Sequence, residues 1–236
     1  MSIRNRIQSV LLLCATAGLA CGGGDGGGGG GGGPDGGGGG SELRYFPMTE
    51  GASWTYQVVD LGTGASSLKT QTVEAYEDIG GQKAGTMGFR LHTDKDGGYT
   101  LSWQEDTGSA IVRHREQSFT AGGAQETDEF YLPYKMRLDE SDAHVLVDAT
   151  YSYTYSEQIF DLTASSNTTN DKTEAWTVEA VDEEITVPAG TFTTLRVFRN
   201  NDGTGVEKTY WFARGVGKVK EEGGGQRELL TDYTIP

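Results

Sequence analysis

Cysteine is nearly absent from this chain: 236 residues contain 2, Cys14 and Cys21, both close to the start. Everything after Cys21 lacks a thiol, which excludes disulfides and cysteine metal centres there and leaves stability to the core alone. Long apolar runs are missing too. The stretch from Ile7 to Ala17, with Val10, Leu11, Leu12 and Leu13, falls short of the ~20 residues that a spanning helix needs. Positive charge is scarce, with 19 Lys and Arg against 34 Asp and Glu and a net charge of −15. A nucleic-acid partner requires a basic footprint that this balance does not supply. Direct adsorption to anionic lipid is disfavoured for the same reason.

Catalytic and cofactor signatures are also missing. There is no G-x-S-x-G elbow, phosphate loop or dinucleotide fingerprint. His92, His114 and His144 are far apart and show no H-x-x-x-H spacing. Asp94, Asp96 and Glu105 fit an EF-hand count, but Tyr99 stands where that loop needs glycine. Carboxylate pairs such as Asp139-Glu140 and Glu183-Glu184 are common in so acidic a chain and nominate no glycosidase. The expectation is a non-enzyme with no cofactor and no metal.

What is present begins with a targeting segment. Arg4 and Arg6 precede the short apolar stretch, and Gly18-Leu19-Ala20 lead to Cys21. This resembles a bacterial lipoprotein signal over residues 1–20, which implies lipidation (palmitate-type acylation) at Cys21 and attachment to a membrane through that lipid. Cleavage after Ala20 by an ordinary signal peptidase, releasing a soluble protein, is the alternative. Gly22 directly after the cysteine implies the outer membrane, since the resemblance associates Asp at that place with inner-membrane retention. Residues 22–40 are glycine except Asp25, Pro34 and Asp35. Such a chain has nothing to bury and stays flexible, with an r.m.s. span of about 24 Å for roughly 19 residues. Residues 21–41 therefore read as lipid site and tether, and 42–236 as one folded domain.

That domain reads as strands and turns. Trp54, Tyr56 and Val58 alternate with Thr55 and Gln57, the period-2 mark of a half-buried strand. Similar runs recur over 70–76, 87–91, 99–103, 110–119, 129–132, 145–160, 175–181, 185–187, 192–198, 206–212, 218–221 and 228–233, rich in residues that fit a pleated surface. Turn signals separate them, such as Asp96-Gly97-Gly98, Ala121-Gly122-Gly123 and Asn201-Asp202-Gly203. Sequential strands joined by short turns imply an all-β antiparallel meander of ten or more strands, curled into an open barrel or a two-layer sandwich. Residues 161–171, largely polar, are expected to form a mobile loop.

Three motifs carry a family resemblance. Tyr45-Phe46-Pro47, Gly51 and Trp54-Thr55-Tyr56 open the domain. Val187-Pro188-Ala189-Gly190-Thr191-Phe192 follows late in the chain, and then Tyr210-Trp211-Phe212-Ala213-Arg214-Gly215-Val216-Gly217. They resemble a family of uncharacterised β-rich domains of bacterial lipoproteins with V-P-A-G-T-F and Y-W-F-A-P-G-V-G motifs, with Arg214 in place of the usual proline. The resemblance implies a fold and no known activity. The residues also stand on their own as a type I hairpin at 187–190 and a glycine-broken turn at 215–217.

One aromatic set is a candidate ligand platform: Tyr151, Tyr153 and Tyr155 share a strand face, with Trp211 as a further member if exposed. Burial of Trp211 inside a sandwich, as a structural clasp, is the preferred expectation. The sequence thus favours a membrane-anchored envelope lipoprotein whose non-catalytic domain binds or supports another envelope component, protein or otherwise. A carrier of a lipid or other apolar ligand in a curved sheet is the first alternative, and an unrecognised hydrolase the second.

Overall fold

Strand-forming residues at period 2, cut by glycine turns, produce twelve antiparallel strands in the computed structural model, which describes residues 43–202 and 204–236. They are β1 (Ser53–Asp60), β2 (Ser66–Asp78), β3 (Met87–Lys95), β4 (Gly98–Asp106), β5 (Ala110–Thr120), β6 (Gln125–Asp139), β7 (Thr150–Asp161), β8 (Ser166–Val187), β9 (Gly190–Asn201), β10 (Val206–Ala213), β11 (Gly217–Gly223) and β12 (Gln226–Thr234). Each strand pairs with its sequence neighbours, and β1 pairs with β12 from Ser53↔Thr234 to Asp60↔Gln226. The sheet is therefore a closed barrel, neither open nor split into two layers. Closure satisfies the backbone groups that an edge strand would leave unpaired. The signal segment, Cys21 and the glycine tether lie outside the described residues.

Three boundaries differ from the sequence reading. The stretch expected as a loop at 161–171 is mostly strand: the turn occupies 162–165, and residues 166–171 pair with β7. Their side chains are mostly exposed, so no apolar alternation marks them. The runs at 175–181 and 185–187 are one 22-residue strand, β8, with register shifts between Val178 and Glu183 that restore inward facing. Residues 145–149 precede β7 rather than opening it.

Odd-numbered strands run from one barrel end to the other and even-numbered strands return. One end carries the turns at 61–65, 96–97, 121–124, 162–165 and 224–225. The other carries the longer connections at 79–86 and 140–149 and the chain entry at 43–52. The entry segment seals this second end. Tyr45, Phe46, Met48 and Ala52 are buried in the core, and the Phe46 ring packs edge-on to Trp54 at 6.2 Å and against Phe212 at 5.8 Å. Glu140 fastens the segment: its carboxylate accepts from Tyr45 N at 2.7 Å, Phe46 N at 3.2 Å and Arg44 Nε at 3.1 Å. Arg44 also donates to Asp106 at 2.9 Å. Gly215 and Gly217 hold positive φ of 71° and 108°. A Cβ at Gly217 would stand 3.0 Å from Trp54 Nε1, so glycine permits the 214–216 turn to lie close against Trp54 of β1.

Glu140→Ala is expected to loosen this seal. It removes charge-assisted bonds to two buried backbone amides, at about 1.5–3 kcal/mol for such bonds. Hydrogen exchange should accelerate at residues 44–48 ahead of the rest of the barrel. Uniform exchange across the domain would contradict the local role of Glu140.

Candidate functional site

Inward positions change chemistry along the barrel axis, and the change repeats strand by strand. On β1 the inward residues run Trp54, Tyr56, Val58; on β2, in reverse, Val73, Gln71, Lys69, Ser67. On β9 they run Leu195, Val197, Arg199, Asn201; on β10, Phe212, Tyr210, Lys208; on β12, Leu230, Glu228, Gln226. The sealed half is thus a packed apolar core and the other half a polar lumen. Between them lies an aromatic layer. Tyr151 stacks on Trp176 at 5.9 Å, Trp176 on Tyr210 at 5.9 Å, and Tyr210 on Phe212 at 6.0 Å.

Above this layer is a cavity of about 580 Å³ that reaches Leu68, Asp96 and Gln226 beside the turns of the open end. Eight of the chain's 19 Lys and Arg line it, but only four of its 34 Asp and Glu. The lumen is cationic inside a strongly acidic protein. The sorting requires explanation, since each buried ion loses several kcal/mol of hydration unless a partner offsets it.

Most of the cations have such partners. Lys218 sits between Glu221 and Glu228, with its Nζ 2.7 Å from Glu228 Oε2. Burial alone would lower the Lys218 ammonium, and the two carboxylates overcome that and hold it above its ordinary value. Burial likewise acts to raise Glu221, but Lys218, Lys208 and Lys69 hold it well below the usual carboxylate range. Lys69 pairs with Glu228, yet desolvation and the neighbouring Lys218 push it down to about 8. Arg113 pairs with Glu116. Arg199 donates to the fully buried Glu174 at 3.0 Å and lies over the rings of Trp176 and Tyr210.

Among the described residues three lining cations have no such partner: Lys95, exposed at the rim, and the more enclosed Arg137 and Lys135. Arg137 makes no hydrogen bond or ion pair among the described residues, and its Nε is buried without an acceptor. Burial lowers its guanidinium, and the nearby Arg113 and Arg199 lower it further. Among the described residues Lys135 meets aromatic faces only, those of Tyr131 at 5.2 Å and Tyr155 at 5.7 Å. Burial pushes it down to about 8, with Glu174 opposing and Arg113, Arg199 and Arg137 reinforcing the fall. Both line the cavity.

The candidate platform divides across the sheet. Tyr151, Tyr153 and Tyr155 face inward and pack in or against the core, Tyr155 wholly buried. Two of the hydroxyls are engaged inside the barrel, Tyr153 donating to Asp139 at 2.6 Å and Tyr155 to Glu174 at 3.1 Å, while that of Tyr151 is buried without a hydrogen-bond partner among the described residues. Trp211 lies on the outer face, half-buried, under the Lys220 ammonium at 4.1 Å and with Nε1 donating to Glu183 at 2.9 Å. It is neither a core clasp nor a neighbour of the tyrosines, because consecutive strand residues alternate faces and Tyr210 and Phe212 take the inner one. The lumen cations were not singled out from the sequence. The signal was present in strand parity: Arg199 shares a face with Leu195 and Val197, and Lys208 with Tyr210 and Phe212, so charge stands on a core-facing stripe.

The histidines are dispersed, each beside a carboxylate: His92 by Glu74, His114 by Glu105 and His144 by Asp139, at 2.8–2.9 Å. Ser141, His144 and Asp139 do meet, but Asp139 at 2.9 Å and Ser141 at 3.3 Å both approach Nδ1 of the ring. A nucleophile relay needs serine and carboxylate on opposite nitrogens. Ser141 instead gives its hydroxyl proton to Asp139 at 2.6 Å.

No family model matches the chain, and no curated protein matches it. Among solved structures it is similar to an exported protein with a YmcC-like fold from Bacteroides fragilis, at 11% identity and a TM-score of 0.45. That likeness covers 82% of this chain and 100% of the other. It is also similar to a lipoprotein from Parabacteroides distasonis, at 15% identity, a TM-score of 0.40 and the same coverage.

Proposed function

We propose that this protein is an exported lipoprotein of the bacterial envelope, held to the outer membrane by lipid on Cys21, whose barrel binds a small polar solute without chemistry. One observation carries the binding reading: a cavity of about 580 Å³, lined by charge and reaching the open barrel end. Its size lies within the range of roughly 300–1,000 Å³ typical of small-molecule sites. The sealed opposite end makes it a pocket rather than a channel. Anchoring is supported by the signal-like residues before Cys21 and the glycine run after it.

A carrier of apolar molecules would need apolar walls around free space. Here the apolar half of the interior is filled by Trp54, Trp176, Phe212 and their neighbours, and the free space lies among charges. The absence of a working relay at Ser141, His144 and Asp139 favours binding over hydrolysis.

Two measurements test the proposal. Native mass spectrometry of protein from its own host should show a co-purifying polar small molecule, and recovery of a phospholipid or other apolar molecule in its place would favour the carrier reading. Cys21→Ser should move the protein from the membrane fraction to the soluble one with its thermal midpoint unchanged. A variant that still sediments with outer membrane would defeat anchoring at Cys21.

A further inference from the structure

Resting on that reading, we propose that the solute is a small organic or inorganic anion carrying at least two negative charges, gripped by Arg137 and Lys135. The ligand class follows from a mismatch within the lumen. Carboxylates are the commoner charge in this chain, yet the cavity wall holds twice as many cations as carboxylates. Three of those four carboxylates serve only part of the set: Glu221 and Glu228 meet Lys218, Lys208 and Lys69, and Glu116 meets Arg113. Arg199 has Glu174 and Lys95 is exposed to solvent at the rim, so Arg137 and Lys135 remain.

An unpaired guanidinium enclosed in a protein is unfavourable unless something absent from the chain completes it. Arg137 lines the cavity, and a planar guanidinium is a shape suited to two oxygens of one phosphate or carboxylate. Arg113 and Arg199 line the same cavity beside Arg137 and lower its guanidinium. Lys135 is pushed in the same direction by the same two arginines. One multiply charged ligand would relieve every one of these repulsions. A neutral sugar would leave them in place and a polyamine would add to them. The aromatic layer of Trp176 and Tyr210 forms the floor below Arg199 and gives an organic anion a flat surface.

The test is calorimetric titration of the full domain with citrate, pyrophosphate, glucose and spermidine, beside the variants Arg137→Met, Lys135→Gln and Arg227→Gln. Citrate or pyrophosphate should bind, while glucose and spermidine should not. Arg137→Met and Lys135→Gln should each weaken binding at least tenfold. Arg227, which pairs with Glu222 on the outer face, serves as the control and should leave binding unaltered. Lys135→Gln removes the charge while keeping a polar side chain only one atom shorter, so it answers the question even if Arg137→Met folds poorly. Anion binding indifferent to both lumen variants overturns the proposal by placing the anion elsewhere. Binding of glucose or spermidine but neither anion overturns it while leaving a solute-binding barrel standing. Silence from all four probes counts against the solute-binding reading itself and removes the ground for this one.

Discussion

Lys218→Met should destabilise the barrel by about 3–5 kcal/mol at neutral pH, the usual cost of removing one partner from a buried ionic group. Lys218 is the cation shared by Glu221 and Glu228. Methionine preserves much of its volume but leaves two enclosed carboxylates facing each other, with Lys69 and Lys208 as the remaining compensation. The pH dependence fixes the sign. In the native protein both carboxylates are held below their ordinary values. Their contribution is therefore present above the unfolded carboxylate value, about 4.3, and is lost as pH falls through the folded values. In the variant burial and mutual repulsion act with less opposition, so the carboxylates take up protons at higher pH. The deficit relative to wild type should be largest near neutrality and shrink toward about pH 5. Urea melts at both pH values decide it. A variant as stable as wild type at neutral pH would show that the network is no structural requirement.

Trp176→Ala and Trp211→Ala should separate the two faces of the sheet. Trp176 is 2% exposed and stacks between Tyr151 and Tyr210. Its truncation leaves a cavity in the aromatic layer and should cost about 3–5 kcal/mol. Trp211 loses only an outer contact with Lys220 and a hydrogen bond to Glu183, so about 1–2 kcal/mol is expected. Chemical denaturation of the two variants in parallel provides the comparison. Equal losses would mean that the outer ring is as tightly held as the inner one. The same pair bears on the lumen, since Trp176 underlies Arg199 and its loss should weaken anion binding while Trp211→Ala leaves it intact.

The meander was readable because each strand carries its own local pattern. Trp54-Thr55-Tyr56-Gln57-Val58 alternates within five residues, and Asp96-Gly97-Gly98 turns the chain where two such runs meet. Closure was not readable in this way. The pairing of β1 with β12 depends on residues nearly the whole domain apart, such as Tyr56 and Leu230, and no local signal announces it. The far end of β8 was missed because residues 166–171 extend beyond the core, where neither face is apolar. Alternation shows that Trp211 and Tyr210 take opposite faces but not which face is covered. The lumen escaped for a compositional reason: averaged over an acidic chain, eight inward cations disappear into a net charge of −15.

The β1–β12 seam also sets an order in time. Every other strand pair joins sequence neighbours through a short or moderate connection and can form as the chain emerges. The seam alone must wait for Gln226–Thr234, the last strand. Until then β1 and the newest strand each present a bare edge, the kind of surface that recruits other chains. A protein crossing a membrane from its N-terminus would hold that vulnerable state for the whole of its passage. Truncations that remove β12 should therefore do more than weaken the fold: they should leave a curved sheet with two permanent edges and drive it to aggregate.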